Sequence, residues 1–451
     1  QIDFDKGRDR LTLPMSNGKK IGFNKIRTDK GNVWSGVAPN GKSTATLIED
    51  TVGNEKIYVG SVVILDDDEW TICQVHPDET GATVMDCKPG EDFPDELDPE
   101  EDESYSETEP MDEETLNELV NEDGNGRRSL RSHRFLQSPV TLGVMVPWTP
   151  QAECWASGLR FPCAFSVYTD KTIRRLIDIA VDETNTAYTS SGVNAQLRLV
   201  HAYRVNYIED PVEPSRPALV QLRVSGDGIM DEVHDLRAQY GADIVAMIIG
   251  GYIPNCGQEG YPPCTCGRGY RYDPPRSSRM FSVTKFSCAT GYYTFAHEIG
   301  HNMGCRHDRG ASKACGDTSK TAFGWRDPDG DFRSIMAYNC NTEKKQCDNN
   351  PGGRCPRVQM LSNDYGYQYK GKAMGNALNT CAKQINAMAP MVSNYYSAPS
   401  SSPSSNPSSS PSLSPSSSPS QSQFPTESPS SSPSQIPSSS PSQIPSSSPS
   451  Q

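Results

Sequence analysis

Fourteen cysteines constrain the folding of this chain more than any other feature, because they fall into two even groups. Cys73 and Cys87 stand early, and the other twelve lie between Cys154 and Cys381. Even counts on both sides of a cysteine-free stretch predict a disulfide framework formed in an oxidising compartment, and hence a secreted protein. The alternative is clustered zinc ligands in a cytosolic protein. Only Cys264 and Cys266 sit close together, however, and a lone C-x-C is a weak zinc signal. The chain opens at Gln1 without a signal peptide, so a leader is expected to have been removed.

The stretch between the two groups is acidic. Glu91 to Asp123 holds 17 acidic residues and no basic ones, and without them the net charge of −14 would become +3. The charge is therefore local. No basic surplus exists to hold nucleic acid, and the acidity argues against an anionic membrane surface. The longest apolar run, Ile244 to Ile249, falls far short of the roughly 18 residues that span a bilayer, so no transmembrane segment is expected.

Composition divides the chain into four. Residues 1–90 alternate short β-like runs, such as Lys56–Leu65 and Glu69–Val75, with turn signals such as Asn17-Gly18 and Asn40-Gly41, and read as a small β-rich domain. Residues 91–134 form an acidic linker, in which like-charge repulsion is expected to keep most of 91–126 extended. It ends in the basic stretch Arg127-Arg128-Ser129-Leu130-Arg131-Ser132-His133-Arg134, whose Arg128/Arg131 and Arg131/Arg134 frames resemble processing sites of secretory-pathway convertases. Residues 135–397 read as an α/β domain. Strands are expected at Val140–Val146, Gln196–Tyr207 and Asp243–Ile249. Helices are expected from a cap at Asp170 to about Thr189, over Asp227–Tyr240 and over Ala373–Met388. Residues 398–451 contain 13 prolines among serines, with almost nothing apolar. They read as a disordered, low-complexity stalk that could tether the protein to a cell wall or matrix.

Chemistry concentrates in Thr294 to Asp308. His297 and His301 are four apart, so a helix presents both imidazoles on one face, as two ligands of one zinc ion require. Glu298 follows the first ligand, where its carboxylate can reach a water on the metal. Gly304 can take positive φ, end the helix and return the chain so that His307 becomes the third ligand. Three protein ligands leave the fourth position open, the mark of a catalytic rather than a structural zinc. Three of the chain's seven histidines fall in this motif.

Every fixed position of H-E-x-x-H-x-x-G-x-x-H is filled. The chain therefore resembles the metzincin zinc metalloproteases. The methionine turn of that family matches Ser334-Ile335-Met336-Ala337-Tyr338. Within the metzincins the likeness is closest to reprolysin-like secreted peptidases of the peptidyl-Asp metalloendopeptidase type. It is carried by Thr184 to Tyr188, Arg237 to Ile249, Phe332 to Cys340 and Leu361 to Gly375.

The resemblance implies a mixed twisted sheet with packed helices over 135–397, one zinc ion and protein or peptide substrates. It also implies that residues 1–90 are a β-rich pro-domain acting as an intramolecular inhibitor of a zymogen. Met336 would be the apolar floor beneath the ligands. Tyr338 would approach the metal, as in some members, or be structural, as in others. Cys87 could occupy the open zinc position as a latency thiolate or pair with Cys73; the even count favours the pair. Cys305 inside the motif and the Cys256–Cys266 loop depart from the family pattern. A preference for cleavage before Asp does not carry over, because no basic pocket residue is identifiable from sequence. The Asp327–Asp331 loop would permit calcium, although Asp-Pro-Asp-Gly reads first as a turn. A catalytically inactive adhesion or wall-binding protein is the competing reading, which loss of Glu298 or of one histidine would have favoured.

Overall fold

The computed structural model describes residues 3–4, 8–14, 20–27, 33–65, 70–96, 138–253, 256, 263–271, 274–340, 347 and 355–396. The processing frames at Arg128, Arg131 and Arg134, most of the acidic linker and the Ser/Pro tail lie outside them.

Period-two alternation builds the N-terminal part. Strands β1 (Asp3–Phe4), β2 (Arg10–Pro14), β3 (Lys20–Arg27), β4 (Val33–Val37), β5 (Thr44–Val52), β6 (Glu55–Leu65), β7 (Trp70–Pro77) and β8 (Thr83–Pro89) form an antiparallel sheet in chain order. Successive side chains of β6 point to opposite faces. Val62 and Ile64 meet Leu11, Leu13 and Phe23 in one core, while Val63 and Leu65 join a second core with Leu142, Val144 and Ile177. β6 is therefore buried on both faces, and the N-terminal sheet shares a core with the residues that follow the acidic linker. Cys87 bonds Cys73 across β7 and β8, so the latency-thiolate reading of Cys87 is corrected: its sulfur is committed to a disulfide.

The second sheet has the order β10-β9-β11-β13-β12. Its strands are β9 (Val140–Trp148), β10 (Ala195–Arg204), β11 (Ile244–Ile249), β12 (Gly267–Gly269) and β13 (Phe281–Lys285). β9, β10, β11 and β13 pair in parallel, and β12 closes the edge antiparallel to β13. β11 is buried along its whole length. Ile244, Ala246 and Ile248 face one core, and Val245, Met247 and Ile249 face the other. Helices α1 (Pro150–Ala156) and α2 (Val167–Ser190) cover the first face, and α3 (Ser215–Arg223) and α4 (Glu232–Tyr240) the second. Then come α5 (Phe286–Ala289), α6 (Thr294–Asn302), the hairpin β14 (Gln368–Tyr369) and β15 (Lys372–Ala373), and α7 (Cys381–Val392).

Three boundaries differ from the sequence expectation. α2 starts at Val167 rather than after Asp170, because Ser166 and Thr169 exchange hydrogen bonds in a capping box. α4 starts at Glu232, because Asp231 accepts from the Gly226 and Gly228 amides and folds the preceding residues into turns. α7 starts at Cys381 rather than Ala373, which instead pairs with Gln368 in the hairpin. At the start of the acidic segment residues 91–96 pack against the fold, and Glu96 is fully buried. At Asp327–Asp331 the turn reading holds, with the Gly330 amide donating to the Asp327 carbonyl. The Lys372 ammonium sits among the Asp327, Asp329 and Asp331 carboxylates at 3.1, 2.7 and 2.7 Å, so a side chain supplies the cation that the calcium reading called for.

Candidate metal centre and adjoining pocket

α6 carries His297, Glu298 and His301, and all nine of its residues are buried. It ends as the motif requires. Gly304 takes φ 91°, its amide donates to the His301 carbonyl, and the Cys305 amide donates to the Gly300 carbonyl. The turn brings His307 back, and the Cys305–Cys381 disulfide ties it to α7, which gives the out-of-pattern Cys305 a structural role.

The three imidazoles converge through their Nε2 atoms, with His307 lying 2.9 Å from His301 and 3.2 Å from His297. His297 Nδ1 donates to the Ile335 carbonyl at 2.8 Å, and His301 Nδ1 to the Cys305 carbonyl at 2.9 Å. A carbonyl only accepts, so in those neutral rings the proton sits on Nδ1 and the Nε2 lone pair faces the other histidines. Burial pushes the His297 imidazole down to about 3, which keeps it neutral and ligand-ready. Ligands held 2.0–2.1 Å from one tetrahedral ion stand roughly 3.3 Å apart, so this donor set fits zinc.

Glycines make room around the helix. A Cβ at Gly300 would lie 2.5 Å from Met336 Sδ, so the fully buried Met336 packs against the helix backbone between the two ligand positions. Its turn also supplies the Ile335 carbonyl that orients His297. Cβ atoms at Gly267 and Gly269 would lie 2.5 and 2.9 Å from the Glu298 carboxylate oxygens, so edge strand β12 is stripped of side chains where Glu298 lies against it. The Tyr338 ring lies 4.0 Å from that of His307, centre to centre, but its hydroxyl donates to the Glu96 carbonyl. The Tyr338 amide donates to Asp308, tying the His307 loop to the methionine turn.

Sequence reasoning missed a second cluster beside the histidines. Arg357 is almost completely buried, and its Nη1 and Nη2 donate to the Glu96 carboxylate at 2.5 and 2.7 Å. Thr294, one turn before His297, donates its hydroxyl to the same carboxylate at 2.6 Å, and His297 Nδ1 stands 3.8 Å away. Burial works to raise the Glu96 carboxyl, but Arg357 outweighs it and holds the group below the usual carboxylate range. The Asn339 amide donates to Asp95 at 3.2 Å, and Phe93 stacks on Tyr292. Residues 93–96 thus run alongside the chain that follows Met336. No sequence signal separates Glu96 from the other acids of its run or Arg357 from ordinary surface arginines; only the tertiary pairing does.

Comparison with known proteins agrees with this geometry. Residues 162–350 match the model of metallopeptidase family M12. A peptidyl-Asp metalloendopeptidase of Xanthomonas campestris pv. campestris is 32% identical over 241 residues, covering 53% of this chain and 48% of the relative. One of Stenotrophomonas maltophilia is 32% identical over 245 residues, covering 53% and 49%. The chain thus spans about half the length of the curated relatives it matches. A solved structure titled as a chaperone–substrate complex aligns at a TM-score of 0.38 with 18% identity, over 58% of this chain and 35% of that one. Residues 162–350, which hold all three histidines, Glu298 and Met336, are thus the stretch over which the chain is similar to the metallopeptidases of family M12.

Proposed function

We propose that the protein is a secreted zinc metalloendopeptidase, made as a zymogen, that hydrolyses peptide bonds of protein substrates. The convergence of three buried Nε2 atoms on one point carries the proposal. Zinc held there supplies a Lewis acid that polarises the peptide carbonyl and acidifies water. His297, His301 and His307 hold the ion, with two of the rings oriented by backbone carbonyls, and Met336 backs the helix between them. Glu298 is the general base that takes the proton of the attacking water, and then the general acid that delivers it to the leaving amine. Tyr338 serves the reaction only once its hydroxyl has left the Glu96 carbonyl.

The N-terminal region, 1–90 with the residues up to Glu96, acts as the inhibitory pro-segment. Support comes from the shared core, from the Glu96–Arg357 pair and from the engagement of Tyr338. Processing in the Arg127–Arg134 stretch, within a 91–134 linker, releases it. The catalytic domain covers 135–397, and the Ser/Pro tail of 398–451 sets where the enzyme resides. Secretion is supported by pairing of all fourteen cysteines. The relatives' printed name extends the proposal to substrates cut beside aspartate.

The test is casein hydrolysis by the full chain nicked within 127–134, with zinc quantified. We expect about one zinc per chain and activity abolished by a chelator and by Glu298→Ala. Bound zinc without hydrolysis of any protein would return the inactive-adhesion reading, and a folded protein without zinc would overturn the proposal.

A further inference from the structure

Arg357 is held in place by groups other than Glu96. Its Nη1 also donates to the Tyr292 carbonyl at 3.1 Å, and its guanidinium lies 4.2 Å from the centre of the Tyr292 ring. When Glu96 leaves, the Tyr292 carbonyl and ring still hold the guanidinium, now without its carboxylate. A charge deprived of its partner in a recessed site is costly, so an anion is the replacement that satisfies it best. The fork of two parallel N–H donors and the Thr294 hydroxyl select a carboxylate by shape as well as charge.

The occupant has the form of a substrate. It is a stretch of polypeptide, Phe93-Pro94-Asp95-Glu96, tied through Asp95 and the Glu96 carbonyl to Asn339 and Tyr338. It places one acidic side chain in a closed pocket 3.8 Å from a ring of the metal centre.

We infer that Arg357, with Thr294, is the residue that reads an acidic side chain of the substrate beside the scissile bond, and that Glu96 fills this pocket as an internal stand-in until the N-terminal region is withdrawn. The inference rests on the peptidase reading above and deepens it. It supplies the basic pocket residue that the sequence did not reveal. It also makes latency a matter of occupying the specificity pocket, a role that needs no free cysteine.

The test uses the full chain nicked within 127–134 and two peptides that differ only by Asp or Asn at one position. We expect the wild type to favour the Asp peptide by at least about 100-fold in kcat/KM, because a site built to bond a polar group discriminates strongly against its absence. Arg357→Lys, which keeps a charge without the fork, should narrow the ratio, and Arg357→Met should bring it close to one. Glu298→Ala leaves the peptides intact and gives a readout independent of turnover. In that variant the Asp peptide should displace the nicked N-terminal fragment on gel filtration, and its Asn twin should not.

A wild-type ratio near one, an unchanged ratio in both Arg357 variants, or equal displacement by the two peptides would overturn the inference. Selective displacement without hydrolysis of either peptide would support the Arg357 pocket and sink the peptidase reading, so the two fail separately.

Discussion

In the eight-stranded sheet every strand pairs with its neighbour in sequence, whereas in the five-stranded sheet β9 lies between β10 and β11, and β11 pairs with β13. The first arrangement is assembled from hairpins, and each pairing closes a short loop. The second needs crossovers of many residues before any pairing is gained, and its central strands β9 and β11 are buried on both faces. The candidate site belongs to the second arrangement. It gathers residues from 294–307, 335–338 and 357, and the last of these binds Glu96 from the N-terminal end of the acidic run. Local pairing would suit the removable pro-segment proposed above, and non-local pairing suits a site that must hold distant groups within a few ångström.

The disulfides give the comparison its largest expected effect. Cys73–Cys87 closes a separation of 14 residues within the N-terminal sheet, and Cys305–Cys381 one of 76 around the His307 turn. By loop-closure entropy, replacing the first pair with alanines should cost about 3 kcal/mol and the second about 4–5 kcal/mol. Denaturant unfolding of the two double variants measures the difference, and equal losses would break the contrast between local and long-range construction. Loss of the second pair should also weaken zinc retention, which the first should leave unchanged.

Next in size is the buried seam between the two parts. Glu183 on α2 accepts from Ser61 of β6 at 2.5 Å and from the Gly291 amide at 2.9 Å. Burial pushes its carboxyl up to about 7. Its pKa in the folded state thus lies above that in the unfolded chain, and between about 4.5 and 7 the folded state binds more protons. Stability should therefore fall as pH rises through that window, by on the order of 3 kcal/mol from this group alone. Glu183→Gln should flatten the slope between pH 5 and pH 8 in denaturant unfolding. A slope unchanged by the substitution would show that the seam is not governed by this carboxyl.

The smallest effect lies at the rim of the same seam. Asp50 of β5 pairs with Lys171 and Arg175 of α2 at 2.9 and 2.8 Å. Burial works to raise its carboxyl, but the hydrogen bonds from Lys171, the Thr51 amide and Arg175 outweigh it and lower it to about 2. Its contribution is present above about 3.8 and is lost as pH falls towards 2. Asp50→Asn at neutral pH should cost no more than about 1 kcal/mol, and less in high salt. A larger, salt-insensitive loss would place this rim with the buried seam.

Much of this was legible in the residues. The spacing of His297, His301 and His307 called for a helix followed by a turn, and α6 ends with Gly304 at φ 91°, whereas Met336 was marked only by the family resemblance. Alternation along Lys56–Leu65 and the apolar run Ile244–Ile249 marked β6 and β11. Helix starts were less legible, because caps such as Ser166 depend on one side chain meeting one amide, and several neighbouring residues could serve equally. α1 and α3 were missed because both are short, with proline at or near the start, and prolines there read first as breakers.

The sequence by itself determined the chemistry of the centre. Three nitrogen donors and a carboxylate at fixed spacing on a helix and turn are a local pattern, and local patterns survive in one dimension. Only the tertiary structure decided what faces that centre. Glu96 and Arg357 are 261 residues apart and are joined by two charge-assisted hydrogen bonds in a buried setting. The cation among Asp327, Asp329 and Asp331 is a lysine because the β14–β15 hairpin delivers Lys372 there. These outcomes depend on which distant segment the fold brings to a polar group that must be satisfied, and no spacing rule along the chain encodes that.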